Sequence, residues 1–229
     1  MDLVTYHGDA DLKAAFLYEI GKHEAADAII KGTYAQMNSH FQGCAIGCSL
    51  YSLSVLQGQS PAVAAQRTGE HARIPTELGW PLWLAYAEDT IFENLPDALS
   101  KTWPRRLAEA IPVGVTVPDL VLAKLLRWML VDEHFGVVKY ADTKVTKNAV
   151  LAIAALFDRT IGGDTVPESE WAAGAAWTRR AAWAAWTTWA VGTAGAAVAT
   201  RAAFYPVLSE ELLRLLRELE PASAFSVTA

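Results

Sequence analysis

Helix punctuation recurs along this chain, and the alternating pattern of a half-buried strand almost never does. Proline opens segment after segment, at Ser60-Pro61, Pro81, Trp103-Pro104 and Val117-Pro118. It suits the first turn of a helix because the N–H it lacks would be unbonded there in any case. Asp11 can cap a first helix running to about Ile30, with Lys31-Gly32 closing it. A polar link over 33–43 leads to a second helix starting near Gly43, with Cys44, Cys48, Tyr51 and Val55 on one face. Leu122, Leu125, Leu126 and Met129 give the helix after Pro118 its apolar stripe, and Thr146 to Phe157 reads as a further helix stopped by Gly162-Gly163. Only Gly136-Val137-Val138-Lys139-Tyr140 reads as a strand, and a run so short cannot found a sheet.

These signals predict an all-α fold, an irregular multi-helix bundle of about eight helices. Residues 168–204 are Ala-rich and carry Trp171, Trp177, Trp183, Trp186 and Trp189. Ala is the best helix former, so long Ala/Trp-rich C-terminal helices are expected, with large indoles filling space between small neighbours. Pro206 and Ser209 then restart a Leu-rich amphipathic helix that ends before Pro221. The 229 residues suffice for a sizeable core and read as a single domain, 1–229, with a possible sub-boundary near 164–167 where the composition shifts.

Charge and leader signals exclude some roles. Lys and Arg are scattered and the net charge is −6, so the basic face that favours nucleic acid is missing. The start M-D-L-V-T-Y-H-G-D lacks the basic residues and apolar run of an export signal. A cytoplasmic protein is therefore expected, with Cys44 and Cys48 as reduced thiols. The uncharged stretch Ala181 to Thr200 has the length of a membrane span. It is built mainly of Ala, Thr and Gly rather than the Leu, Ile, Val and Phe that drive insertion, and no membrane partner is expected.

Residues 5–10 (T-Y-H-G-D-A), 22–34 (K-H-E-A-A-D-A-I-I-K-G-T-Y), 43–48 (G-C-A-I-G-C) and 84–96 (L-A-Y-A-E-D-T-I-F-E-N-L-P) carry a resemblance. Together with the Ala/Trp-rich stretch before a Leu-rich terminal helix, they resemble an uncharacterised group of bacterial and phage proteins whose C-terminal parts carry Ala-Ala-Trp repeats. The G-C-x-x-G-C element is the most specific part, and the resemblance covers most of the chain. It implies a cytoplasmic protein of bacterial or phage origin and carries over no catalytic residues.

Three i,i+4 pairs hold the candidate chemistry: His23/Asp27, Cys44/Cys48 and Asp89/Glu93. Such spacing places two side chains on one helix face, which is how helical bundles assemble metal sites. Imidazole, carboxylate and thiolate together suit Zn²⁺ or Fe²⁺. None of the pairs completes H-E-x-x-H, because position 27 is Asp. The plainer reading is a buried His–Asp hydrogen bond, two small core thiols and a solvated acidic face, with no cofactor. A catalytic reading makes Cys44 a nucleophile whose pKa is lowered at a helix N-terminus, with His23 as base, Asp27 as its orienter and Gln42 as an oxyanion donor. His7, His40, His71 and His134 are rival bases. With no complete catalytic motif, the first expectation is a non-catalytic binding or regulatory protein for an unidentified protein or small molecule. The alternative is a small all-α enzyme using the Cys44 thiol or a metal near His23 and Asp27.

Overall fold

Helix α2 (Ala45–Leu56) is apolar or small at almost every position, and it is buried on nearly every side. A helix without a polar face has to be wrapped by others. In this computed structural model, which describes residues 3–141, 143–174 and 194–220, α2 packs against α1 (Ala10–Ala25), α3 (Pro61–Ala64), α4 (Arg73–Leu78), α5 (Leu82–Asn94) and α7 (Trp103–Ala110). The short helix α6 (Asp97–Ser100) links α5 to α7. Helices α8 (Asp119–Val131), α9 (Lys144–Ile161) and α10 (Ala194–Arg217) follow, and the fold is all-α. Among the described residues the sheet content is one antiparallel hairpin of two-residue strands, β1 (Gln36–Met37) and β2 (Phe41–Gln42).

The chain forms two compact units, Met1–Val117 with Tyr205–Ala229, and Pro118–Phe204. The 164–167 stretch is not where these units meet. That link lies within the second unit, because contacts cross it: Phe157 meets Trp171 at 4.8 Å between ring centroids, and Arg159 pairs with Glu170. In that unit α8 packs on α9, and a capping box between Thr143 and Thr146 starts α9. The run from Gly136 forms a 3-10 turn over Val137–Tyr140 instead of a strand. With no partner strand beside it, the turn bonds its backbone groups locally.

In the first unit, Tyr6 donates its hydroxyl to the Ala108 carbonyl at 2.6 Å, tying the N-terminus to α7. Leu208, Leu212, Leu213, Leu215 and Leu216 of α10 are buried, and Arg106 of α7 pairs with Glu210. Pro206 does not restart a helix. It lies inside α10, where the buried leucine face outweighs the one backbone bond a proline removes. Asp9, rather than Asp11, caps α1 by accepting from the N–H groups of Asp11 and Leu12. Helix α1 stops at Ala25, short of Ile30, because the next residues pair with the entrance to α2: Gly43 N–H donates to the Ala28 carbonyl and Ile30 N–H to the Gly43 carbonyl. The expected helices over 175–193, with Trp177, Trp183, Trp186 and Trp189, lie outside the described residues. No helix among the described residues is long and apolar enough to cross a membrane.

Glycines give this packing a sharp test. A Cβ on Gly47 would sit 1.9 Å from the Tyr34 carbonyl oxygen, whereas one on Gly21, mid-way along α1, would meet nothing within 4 Å. Gly47→Ala should destabilise by on the order of 3 kcal/mol through overpacking. Gly21→Ala should stabilise by about 0.5–1 kcal/mol by restricting the unfolded backbone. Urea denaturation of both variants reads the difference. Equal effects would mean that the Tyr34 backbone does not rest on α2.

Candidate functional site

The Gly-Cys-x-x-Gly-Cys element gains its meaning from the loop it receives. Added Cβ atoms on Gly43 and Gly47 would lie 2.5 and 1.9 Å from the Tyr34 carbonyl oxygen. Only residues without side chains let that backbone come so close. Cys44 N–H donates to the Thr33 carbonyl at 2.7 Å and fixes the loop in place. Cys44 is the N-cap of α2, its Sγ accepting from Gly47 N–H at 3.4 Å, and Cys48 turns inward to donate to the Gly43 carbonyl at 3.4 Å. Both are free thiols.

Helix α5 brings two carboxylates to Cys44. Asp89 and Glu93 stand one turn apart, and one ligand atom from each lies with Cys44 Sγ in a group no wider than 4.8 Å. Glu93 accepts from Gly32 N–H through both oxygens, at 3.1 and 3.2 Å. His71, in the turn before α4, places Nε2 3.2 Å from Asp89 Oδ2 and Nδ1 3.2 Å from the Gly69 carbonyl. The two neighbours of this imidazole are both acceptors. Tyr86 stacks on His71 at 4.8 Å and Tyr34 meets it edge-on at 5.7 Å. These tyrosines are 54% and 44% exposed, so the cluster lies at the surface beneath an aromatic rim.

Behind the cluster, Glu88 is 1% exposed, with Oε1 accepting from Ser49 at 3.2 Å and Oε2 without a hydrogen-bond partner. Burial pushes its carboxyl up to about 8; the Ser49 bond opposes the shift and the Asp89 charge adds to it. Burial likewise pushes the Cys44 thiol up to about 12, opposed by the Gly47 N–H and reinforced by Asp89, Glu93 and Glu88. The expected helix-terminus activation of this thiol is overturned. Loss of hydration and three nearby carboxyl groups outweigh a helix dipole.

The sequence-derived pair His23/Asp27 does not form. His23 Nε2 shares a hydrogen bond with Ser52 Oγ at 3.1 Å, and its ring meets the stacked pair Phe41 and Tyr51 edge-on. Asp27 follows the end of α1 with φ +52 and forms an ion pair with Lys101. Ser52 is eight residues beyond Cys44, roughly 12 Å along the α2 axis at the rise of a helix. His23, Asp27 and Cys48 therefore stand apart from the cluster, so neither the Cys44–His23–Asp27 arrangement nor the six-residue metal set assembles. Gln42 takes a hydrogen bond from Asn38 at 3.4 Å. The expected convergence survives in Cys44, Asp89 and Glu93. His71 was one histidine among several rivals and Tyr34 carried no signal, because neither shares a helical spacing with its partners. In the second unit, a cleft between α9 and residues 170–174 is largely apolar, and its Glu170 is taken by Arg159.

Two buried groups give stability opposite slopes with pH. Burial lowers His23 from 6.5 to about 4, with Glu19 opposing the shift. Its contribution is fully present above about 6.5 and is lost as pH falls toward 4. Glu88 is raised from 4.5 to about 8, so its contribution is fully present below about 4.5 and is lost as pH rises through 8. Urea-derived stability should peak in the weakly acidic range, each arm amounting to on the order of a few kcal/mol. Glu88→Gln should flatten the alkaline arm and His23→Gln the acid one. An unchanged alkaline arm in Glu88→Gln would assign the slope elsewhere.

No protein-family model, no curated protein and no solved structure matches this chain.

Proposed function

We propose that this chain is a non-catalytic binding protein that captures a cationic ligand at the Cys44–His71–Asp89–Glu93 cluster. One observation carries the reading, two carboxylates gathered at a thiol with no Lys or Arg among their described partners. Asp89 and Glu93 lie within 4.8 Å of each other and of the Cys44 sulfur, and among the described residues neither pairs with a Lys or Arg. Several acids elsewhere have a Lys or Arg partner, as in Asp97 with Lys31, Glu77 with Arg73 and Glu210 with Arg106. Adjacent carboxylates repel each other, so gathering them without a permanently charged partner serves a ligand better than it serves the fold. The rim of Tyr34 and Tyr86 also suits a positive charge, since ring faces attract cations. Against a thiol enzyme stand the high pKa of Cys44 and the separate seat of His23. The resemblance of the Gly-Cys-x-x-Gly-Cys element supports a bacterial or phage setting for this binding.

The double substitution Asp89→Asn with Glu93→Gln tests the reading. Calorimetric titration and thermal shift with divalent cations, organic amines and anions should show that the parent chain is stabilised by at least one cation. The variant should lose that affinity at least tenfold while keeping its circular dichroism. Without ligand it should be no less stable than the parent, because a repulsion has been removed. Stabilisation by anions alone, or cation binding unchanged in the variant, would overturn the proposal.

A further inference from the structure

We infer that the cation of this site is a divalent first-row transition metal of the zinc type, held by Cys44 Sγ and the carboxylates of Asp89 and Glu93, with His71, whose Nε2 lies 3.2 Å from Asp89 Oδ2, completing the set. The inference rests on the cation-binding reading above and narrows it. The donor set comes first. Calcium and magnesium take oxygen ligands, whereas a thiol and an imidazole beside two carboxylates suit Zn²⁺, Co²⁺ or Fe²⁺.

The histidine supplies an independent argument. A carbonyl can only accept, so the contact of Nδ1 with the Gly69 carbonyl puts a proton on Nδ1. Nε2 then stands 3.2 Å from Asp89 Oδ2, on the side of the ring that faces the carboxylates. A proton on Nε2 satisfies this pair in the metal-free chain, and a metal ion would take that proton's place. The spacing is suitable: two light-atom ligands, each at its usual distance from tetrahedral zinc, stand about 3.3 Å apart. The tautomer is also the one a metal requires, with the far nitrogen tied to backbone.

Each donor has its own orienting contact. Gly69 O holds His71, Gly47 N–H holds the Cys44 sulfur, and Gly32 N–H holds Glu93. Such outer contacts fix ligands in place before the metal arrives. The donors come from three elements, namely the cap of α2, the turn before α4 and one turn of α5, so none can drift without disturbing the core. Glu88, buried behind them with one oxygen unpartnered, adds a further acceptor within electrostatic reach of Cys44. On binding, the Cys44 thiol proton passes to solvent as the sulfur–metal bond forms.

Cobalt(II) is the probe, added to the reduced full-length chain. The expected result is one Co²⁺ per chain, with thiolate-to-cobalt charge transfer in the near ultraviolet and the intense visible bands of a tetrahedral ion, all abolished by stoichiometric Zn²⁺. Cys44→Ser should remove the near-ultraviolet band, and Cys48→Ser should keep it. His71→Ala should weaken Co²⁺ at least tenfold while retaining the thiolate band, which keeps the test decisive should Cys44→Ser fail to fold. A thiolate band that survives Cys44→Ser, or Co²⁺ bound without one, overturns the inference. If Ca²⁺, Mg²⁺ or an amine binds in an Asp89- and Glu93-dependent manner without any thiolate band, cation binding stands and the transition metal falls. If no cation binds, both fall.

Discussion

The carbonyl of Tyr34 occupies the space that a side chain at position 47 would fill, and much of the first unit follows from that contact. The approach is possible only because positions 43 and 47 are both glycine, one turn apart at the start of α2. Once the loop is seated, Thr33 accepts from Cys44 N–H, Gly32 N–H reaches Glu93, and the Tyr34 ring meets His71. A single backbone approach thus joins the helix that carries the thiol to the helix that carries the acids. The Gly-Cys-x-x-Gly-Cys pattern is explained as a seat, with one cysteine turned to the cluster and the other into the core.

The polar groups of α2 serve a related end. Ser49, Ser52 and Ser54 are buried, and each meets a different neighbour: Glu88 of α5, His23 of α1 and Arg73 of α4. A buried hydroxyl without a partner is costly, so these three bonds fix the rotation of α2 more sharply than apolar packing alone would. Glu88 is the exception, since only one of its oxygens is satisfied by Ser49. This half-satisfied carboxyl links the packing of the core to the electrostatics of Cys44.

Stability and the proposed ligand capture pull in opposite directions at this cluster. Two carboxylates and a thiol are gathered here, with an imidazole bonded to one of the carboxylates. Their backbone contacts hold them in that arrangement, so a cation arriving between them finds donors already oriented. The lost hydration and repulsion that raise the Cys44 pKa in its absence are the same terms that a bound cation would reverse.

The sequence by itself determined what short-range physics controls. Proline and side-chain caps with helical spacing decided the all-α class, the starts of α3, α5, α7 and α8, and the placing of Asp89 and Glu93 on one face of α5. It misjudged the features set by distant partners. A helix drawn through Asp27 aligned that residue with His23, yet the chain leaves α1 at Ala25 because backbone pairing with Gly43 competes with one more helical turn. Pro206 looked like a boundary, but burial of the leucines after it carries the helix through. His71 joins Asp89 across eighteen positions with no periodic relation, and Tyr34 reaches the site from a loop seated by its backbone. Only the tertiary structure could choose His71 over His23, since the choice depends on which loop fits against the two glycines of α2, and that close packing leaves no periodic trace in the chain.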